Sequence, residues 1–104
     1  MNTSTANNAD NPVAVILKAD SESGYRTAHR LLDAGHRVVV TARHAGDLVR
    51  ITNGISSDRI YALAADTDDP RQFQQVLRRA RRRFGRVDLV SMPDGYHSNL
   101  RPAA

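Results

Sequence analysis

Seven arginines fall within residues 71–86, Arg71, Arg78, Arg79, Arg81, Arg82, Arg83 and Arg86, and no acidic residue lies among them. Guanidinium groups at this density suit phosphates and carboxylates, which accept their forked N–H donors. One reading is therefore an anion- or nucleic-acid-binding ridge, since Arg78, Arg79, Arg81, Arg82, Arg83 and Arg86 could neutralise several backbone phosphates. The plainer reading is a solvated helix face whose cations complement the dipole at the helix C-terminus. No aromatic side chains accompany the arginines as stacking partners for bases, which favours the solvated face. Elsewhere the chemistry is sparse. His29, His36, His44 and His97 lack the spacing of metal ligands, so no metal site is expected. The absence of cysteine excludes a disulfide scaffold, a thiolate zinc site and a cysteine nucleophile.

The elements that must carry these residues follow from apolar patterning. Val13-Ala14-Val15-Ile16-Leu17 is a continuous apolar run, as expected of a strand covered on both faces. A helix over 24–34 places Ala28, Leu31 and Leu32 on one face, with Gly35 at its C-cap. A second interior strand spans 36–42, with Arg43 and His44 just beyond it. A short helix over 45–53 turns Leu48 and Ile51 inward before Gly54, and a third strand spans 59–64. Asp69-Pro70 is a helix start, with Asp as N-cap and Pro at the first helical position. Phe73, Val76, Leu77, Ala80 and Phe84 then form an apolar stripe that ends at Gly85. A fourth strand spans 86–92.

Strands separated by helix-length connections pair in parallel through right-handed crossovers. The expected fold is thus α/β, half of a doubly wound parallel sheet with three helices, βαβαβαβ. At 104 residues, with 40% hydrophobic and 25% charged side chains, the chain is one small folded domain. It is expected to occupy residues 12–95, between a disordered tail over 1–11 and a flexible tail over 96–104. The formal charge of +4 conceals +7 over residues 71–86 and −3 over the remainder. No secretory signal and no run near the ~20 apolar residues of a membrane span are present, so a cytoplasmic protein with no membrane partner is expected.

Three stretches resemble the N-terminal part of the short-chain dehydrogenase/reductase family. Residues 34–43, Ala-Gly-His-Arg-Val-Val-Val-Thr-Ala-Arg, are similar to that family's second strand with its NADP-selecting arginine. Residues 63–69 and 83–90 resemble the family's sequence after strand three and into strand four. The resemblance implies a Rossmann-like sheet with strand order 3-2-1-4 and a cofactor site built from Lys18, Gly24, Arg43, Asp66, Thr67 and Gly95. Arg43 would meet a 2′-phosphate, and Asp66 with Thr67 would lie beside the adenine; loop and helix-capping roles for the aspartates are the alternative.

Departures from the family pattern matter as much. Its glycine-rich turn, Thr-Gly-x-x-x-Gly-x-Gly, falls on residues 17–24, where only Gly24 remains and Lys18 and Glu22 replace the other two glycines. Those glycines let the chain turn sharply and let a diphosphate reach the helix N-terminus. Lys18 could add a cation there, whereas Glu22 places a carboxylate in the way. The family's Asn-Asn-Ala-Gly falls on Met92-Pro93-Asp94-Gly95, and its catalytic serine, tyrosine and lysine have no counterpart, since Lys18 is the sole lysine. No catalytic residue is assigned.

The expected function is a non-catalytic, truncated relative of these reductases, with no cofactor or residual NADP binding, acting through association. In a sheet of four strands, the strand over 87–92 would be an open edge, which predicts a homodimer through Val87 to Met92 or through the third helix. Two alternatives stand beside this: an NADP half-site completed by a partner carrying the catalytic residues, and nucleic-acid binding by the arginine helix.

Overall fold

The computed structural model describes residues 11–92 and the backbone of residues 97 and 98. Four parallel strands, β1 (Val13–Ile16), β2 (Arg37–Ala42), β3 (Ile60–Ala64) and β4 (Leu89–Ser91), lie in the order 3-2-1-4 expected from the sequence. β1 is buried on both faces because helices cover both. Ala14 and Ile16 point to the side of α1 (Glu22–Asp33) and α2 (Val49–Thr52), while Val13 and Val15 point to α3 (Pro70–Phe84). Each Val or Ile so enclosed contributes roughly 1.5–3 kcal/mol of hydrophobic free energy.

Helix limits follow from local chemistry. Ser21 caps α1 by accepting the Gly24 N–H at 3.0 Å, so the helix begins two residues before the expected Gly24. Its far end closes on Gly35 at φ +95°, where the Gly35 N–H bonds Leu32 O and the His36 N–H bonds Leu31 O. The expected helix over 45–53 is a 3₁₀ turn (Ala45–Leu48) that continues as the single turn of α2, with Leu48 and Ile51 buried as anticipated. α3 starts at the Asp69 cap and Pro70 and buries Val76, Leu77, Ala80 and Phe84.

The far side of β4 differs from expectation. The fourth strand is three residues long rather than seven, and it is not the sheet boundary. β5 (His97–Ser98) pairs with it antiparallel, Val90 opposite Ser98 and Ser91 opposite His97. The outer polar groups of a parallel strand draw any nearby extended backbone. Two residues without apolar periodicity leave no trace in patterning, so they read as tail. Asn11, assigned to the N-terminal tail, is held by Arg37, whose Nη2 donates to Asn11 O at 2.9 Å. Gly95 and Tyr96 lie outside the described residues.

Asp88 ties the start of β1 to β4. Its Oδ2 accepts the Val13 N–H at 2.9 Å, its own N–H donates to Val13 O at 2.9 Å, and Arg86 bonds its Oδ1 at 2.8 Å. The Arg86 hydrogen bond, with help from the Val13 amide, holds the carboxyl below the ordinary carboxylate range against a desolvation effect that pushes it up. A carboxylate with a lowered folded value stabilises fully above its unfolded value, near pH ~4, and loses that contribution as pH falls through the folded value. Asp88→Asn should cost about 1 kcal/mol at neutral pH and flatten the loss of stability below pH ~4, as urea unfolding across pH will show.

Gly24 is the tightest contact of α1 with the β1–α1 turn. A Cβ there would stand 2.6 Å from Ala19 Cα and 2.9 Å from its carbonyl carbon and oxygen, all of them backbone atoms. Alanine favours a helix by about 1 kcal/mol over glycine, but a backbone clash is not relieved by a rotamer change. Gly24→Ala should therefore destabilise by about 2 kcal/mol and lower Tm by roughly 10 °C in thermal unfolding.

Candidate functional site

In open parallel sheets the crevice at the carboxyl ends of the strands is the usual ligand site, and a cavity of about 310 Å³ lies there. It is lined by Lys18 and Asp20 from the β1–α1 turn, Ala42, Arg43, His44 and Asp47 after β2, and Ala65, Asp66, Thr67 and Asp68 after β3. Four of the six residues that the resemblance assigned to a cofactor, Lys18, Arg43, Asp66 and Thr67, are thus brought together. Gly24 is not among them; it sits in the first turn of α1 and packs on Ala19.

The turn after β1 is fastened between two strands. Leu17 donates its N–H to Ser91 O at 2.9 Å, Ala19 to Thr41 O at 2.7 Å, and Lys18 to Thr41 Oγ1 at 3.3 Å. Lys18 adopts φ +53°, the left-handed form that a glycine would take without penalty, at a cost of roughly 1–2 kcal/mol for a residue bearing a Cβ. The backbone path of a glycine turn therefore persists with a side chain added to it. That side chain crosses to the β3–α3 loop, where Lys18 Nζ meets Asp68 Oδ1 at 3.0 Å.

Helix α1 points its N-terminus into this region, and its first turn is already occupied. Ser21 Oγ takes the Gly24 N–H. Glu22, in the position of the second family glycine, complements the helix dipole and reaches Arg50 at 3.0 Å and Arg26 at 3.8 Å. Arg50 also lies over the Tyr25 ring, 3.9 Å from its centroid, so Glu22 joins α1 to α2. Its hydrogen bond raises the Arg50 guanidinium above the ordinary value. A diphosphate approaching α1 would meet a carboxylate and an amide that already has its acceptor.

Across the cavity, Arg43 Nη2 stands 3.8 Å from Asp66 Oδ2. The loop after β3 also holds itself: the Asp66 N–H donates to Gln72 Oε1 at 2.8 Å, the Asp68 N–H to Asp66 Oδ1 at 3.1 Å, and the Arg71 N–H to Asp69 Oδ1 at 2.9 Å. Capping therefore engages Asp66 and Asp69 without a ligand. The lining contains four carboxylates, Asp20, Asp47, Asp66 and Asp68, against two full cations, Lys18 and Arg43, each of which faces one of those acids. The cleft is acidic on balance. Asp20, Asp47, Asp68 and the Ser21 cap escape a reading of the sequence that asks only where family glycines and the arginine fall. Ser21 followed by an acid, Glu22, ahead of a helical apolar face was the available signal for the cap.

The arginine helix lies on the opposite face of the sheet. Arg78, Arg79, Arg81, Arg82, Arg83 and Arg86 are all exposed. Arg83 donates to Ser57 O at 2.7 Å and covers the Tyr61 ring, and Arg86 is spent on Asp88. Among the described residues no ion pair engages Arg78, Arg79, Arg81 or Arg82. The i,i+3 and i,i+4 repulsions of Arg78 with Arg81 and Arg82, and of Arg79 with Arg82 and Arg83, cost about 0.2–0.5 kcal/mol each. The dipole offsets this only for the last turn, Arg81, Arg82 and Arg83, and leaves Arg78 and Arg79 uncompensated.

The chain matches the short chain dehydrogenase family over residues 12–100. It is 32% identical over 73 residues to the oxidoreductase BOA17 of Botryotinia fuckeliana, an alignment covering 70% of this chain and 27% of that protein. An uncharacterized oxidoreductase of Staphylococcus aureus is 28% identical over 78 residues, 75% of this chain and 34% of the relative. Among solved structures, the 3-ketoacyl-(acyl-carrier-protein) reductase of Brucella melitensis, complexed with NADH, superposes with a TM-score of 0.69 at 29% identity over 76% of this chain and 32% of that one. The chain spans about a third of the length of these relatives. With the strand order, the crevice and the matched residues in agreement, the chain belongs to the short chain dehydrogenase family.

Proposed function

We propose that this chain is a non-catalytic Rossmann-type module whose nucleotide crevice no longer takes a dinucleotide diphosphate, and which acts through association. One observation carries the reading: at the N-terminus of α1, Ser21 holds the Gly24 amide and Glu22, tied to Arg50, stands where the second glycine would let a diphosphate approach. The Brucella melitensis reductase was solved with NADH; here the equivalent crevice bears a surplus of carboxylate and cations already faced by Asp66 and Asp68. Like charge within a few ångströms of a bound phosphate opposes binding.

A second reading draws on Arg43 and the persistent glycine-like backbone at Lys18: an NADP half-site, completed by a partner that carries the catalytic residues. One titration separates the two. In calorimetry with NADP and NAD, the chain should show no saturable binding up to ~1 mM, and Lys18→Gly/Glu22→Gly should gain it. A dissociation constant tighter than ~100 µM for the unaltered chain would overturn the first reading.

Association through the outer side of the sheet is supported by the shortness of β5, which covers only Val90 and Ser91 of β4. Sedimentation should show a dimer that dissociates on dilution; a monomer throughout ~1–100 µM excludes pairing in that range.

A further inference from the structure

The solvent face of α3 is the charged surface that the crevice leaves unexplained. Along its axis, Arg71, Arg78 and Arg82 recur at steps of seven and four, and Arg79 and Arg81 flank that row on either side. All five are exposed, and the helix from Pro70 to Phe84 contains no acidic residue. At its N-terminal half Arg71, Gln74, Gln75 and Arg78 line an open groove of about 450 Å³, so amide donors continue the row of guanidinium groups. We propose that this face is a docking ridge for the phosphodiester backbone of a nucleic-acid duplex.

Three features select that occupant. First, the charge is extended rather than compact. The ~18 Å of helix axis between Arg71 and Arg83, at ~1.5 Å per residue, faces roughly five phosphates of one strand at ~3.4 Å each. An acidic protein segment would need carboxylates spread over the same distance. Second, the cations are arginines, whose forked donors fit phosphate oxygens in pairs. Third, the aromatic rings nearest the ridge are withheld from bases: Phe73 packs against the core, Arg83 covers Tyr61 and Phe84, and Phe84 is buried. A ridge with no stacking platform reads backbone charge and not unpaired bases, so a duplex is preferred to a single strand.

Binding would also discharge the mutual repulsion of Arg78, Arg79, Arg81 and Arg82, which no described carboxylate relieves. Ligand and fold stability are thereby linked, and a duplex should raise Tm as it binds.

Fluorescence anisotropy with the full chain and a labelled random-sequence duplex of about 20 base pairs tests this. Affinity should fall about a hundredfold between ~50 and ~200 mM salt, as four phosphate contacts at a slope of ~0.9 each require. The combined replacement Arg78→Gln, Arg79→Gln, Arg81→Gln and Arg82→Gln should abolish binding with the circular dichroism spectrum unchanged. The matching four Arg→Lys replacements should retain salt-dependent binding. If the glutamine variant loses helix, the pair Arg78→Gln/Arg82→Gln takes its place, with an expected loss of at least tenfold. No binding at ~50 mM salt, unaltered binding by a folded glutamine variant, or equal affinity for a single strand or for polyglutamate overturns the proposal.

Discussion

The approach of Gly24 to Ala19 sets where everything else in the crevice can be. Because no Cβ separates them, α1 descends onto the β1–α1 turn until Gly24 lies against Ala19 backbone. The turn, in its place, hangs from Thr41 on β2 and Ser91 on β4. One missing methyl group thus fixes the height of α1 over the sheet, and with it the direction of the helix N-terminus, the position of Ser21 and the reach of Glu22 to Arg50. A larger residue at 24 would lift α1, and Ala28 with it, away from Ala14 and Ile16 in the core below.

This contact explains why one glycine of three is present. In a dinucleotide crevice the glycines do different work: one permits the tight turn, one admits the diphosphate, one lets helix and strand pack. Gly24 serves packing, which this fold requires whether or not a ligand binds. Position 18 keeps the left-handed backbone with a lysine in it, at a cost that the anchored turn absorbs. Position 22 is open toward solvent and α2, and there a glutamate makes an ion pair inside the chain. The residue retained is the one whose loss would disturb the fold, and the residues replaced are those whose change falls mainly on the ligand.

Much of this was legible in the sequence. Continuous apolar runs at β1 and β2 could only be strands covered on both faces, and Asp69-Pro70 with a three-four apolar stripe could only be α3. The parallel order followed from those connections and from the resemblance. What escaped were features set by tertiary context. β5 is two polar residues that pair because β4 offers them unpaired backbone, and nothing in His97 or Ser98 announces it. β4 starts at Leu89, just after Asp88, which bonds Val13 through both its amide and its carboxylate. In the crevice, Arg43, Asp66 and Thr67 were found by their place after strands. The carboxylates of Asp20, Asp47 and Asp68 were not, because three loops far apart in sequence bring them together.

The arginines at the C-terminal end of α3 are independent of the crevice for a geometric reason. A helix that joins parallel strands runs antiparallel to them, so α3 begins beside the crevice at Asp69 and ends at the opposite margin of the sheet. Its fifteen residues span about 22 Å, more than two Debye lengths at ~0.15 M salt. Arg81, Arg82 and Arg83 therefore exert little field on the acidic crevice, and neither region compensates the other. The crevice carboxylates likewise leave Arg81, Arg82 and Arg83 unquenched, whereas Arg71, at the start of α3, lies beside them. Replacing Glu22 should leave the salt response of α3 unchanged, whereas a single merged electrostatic site would link the two.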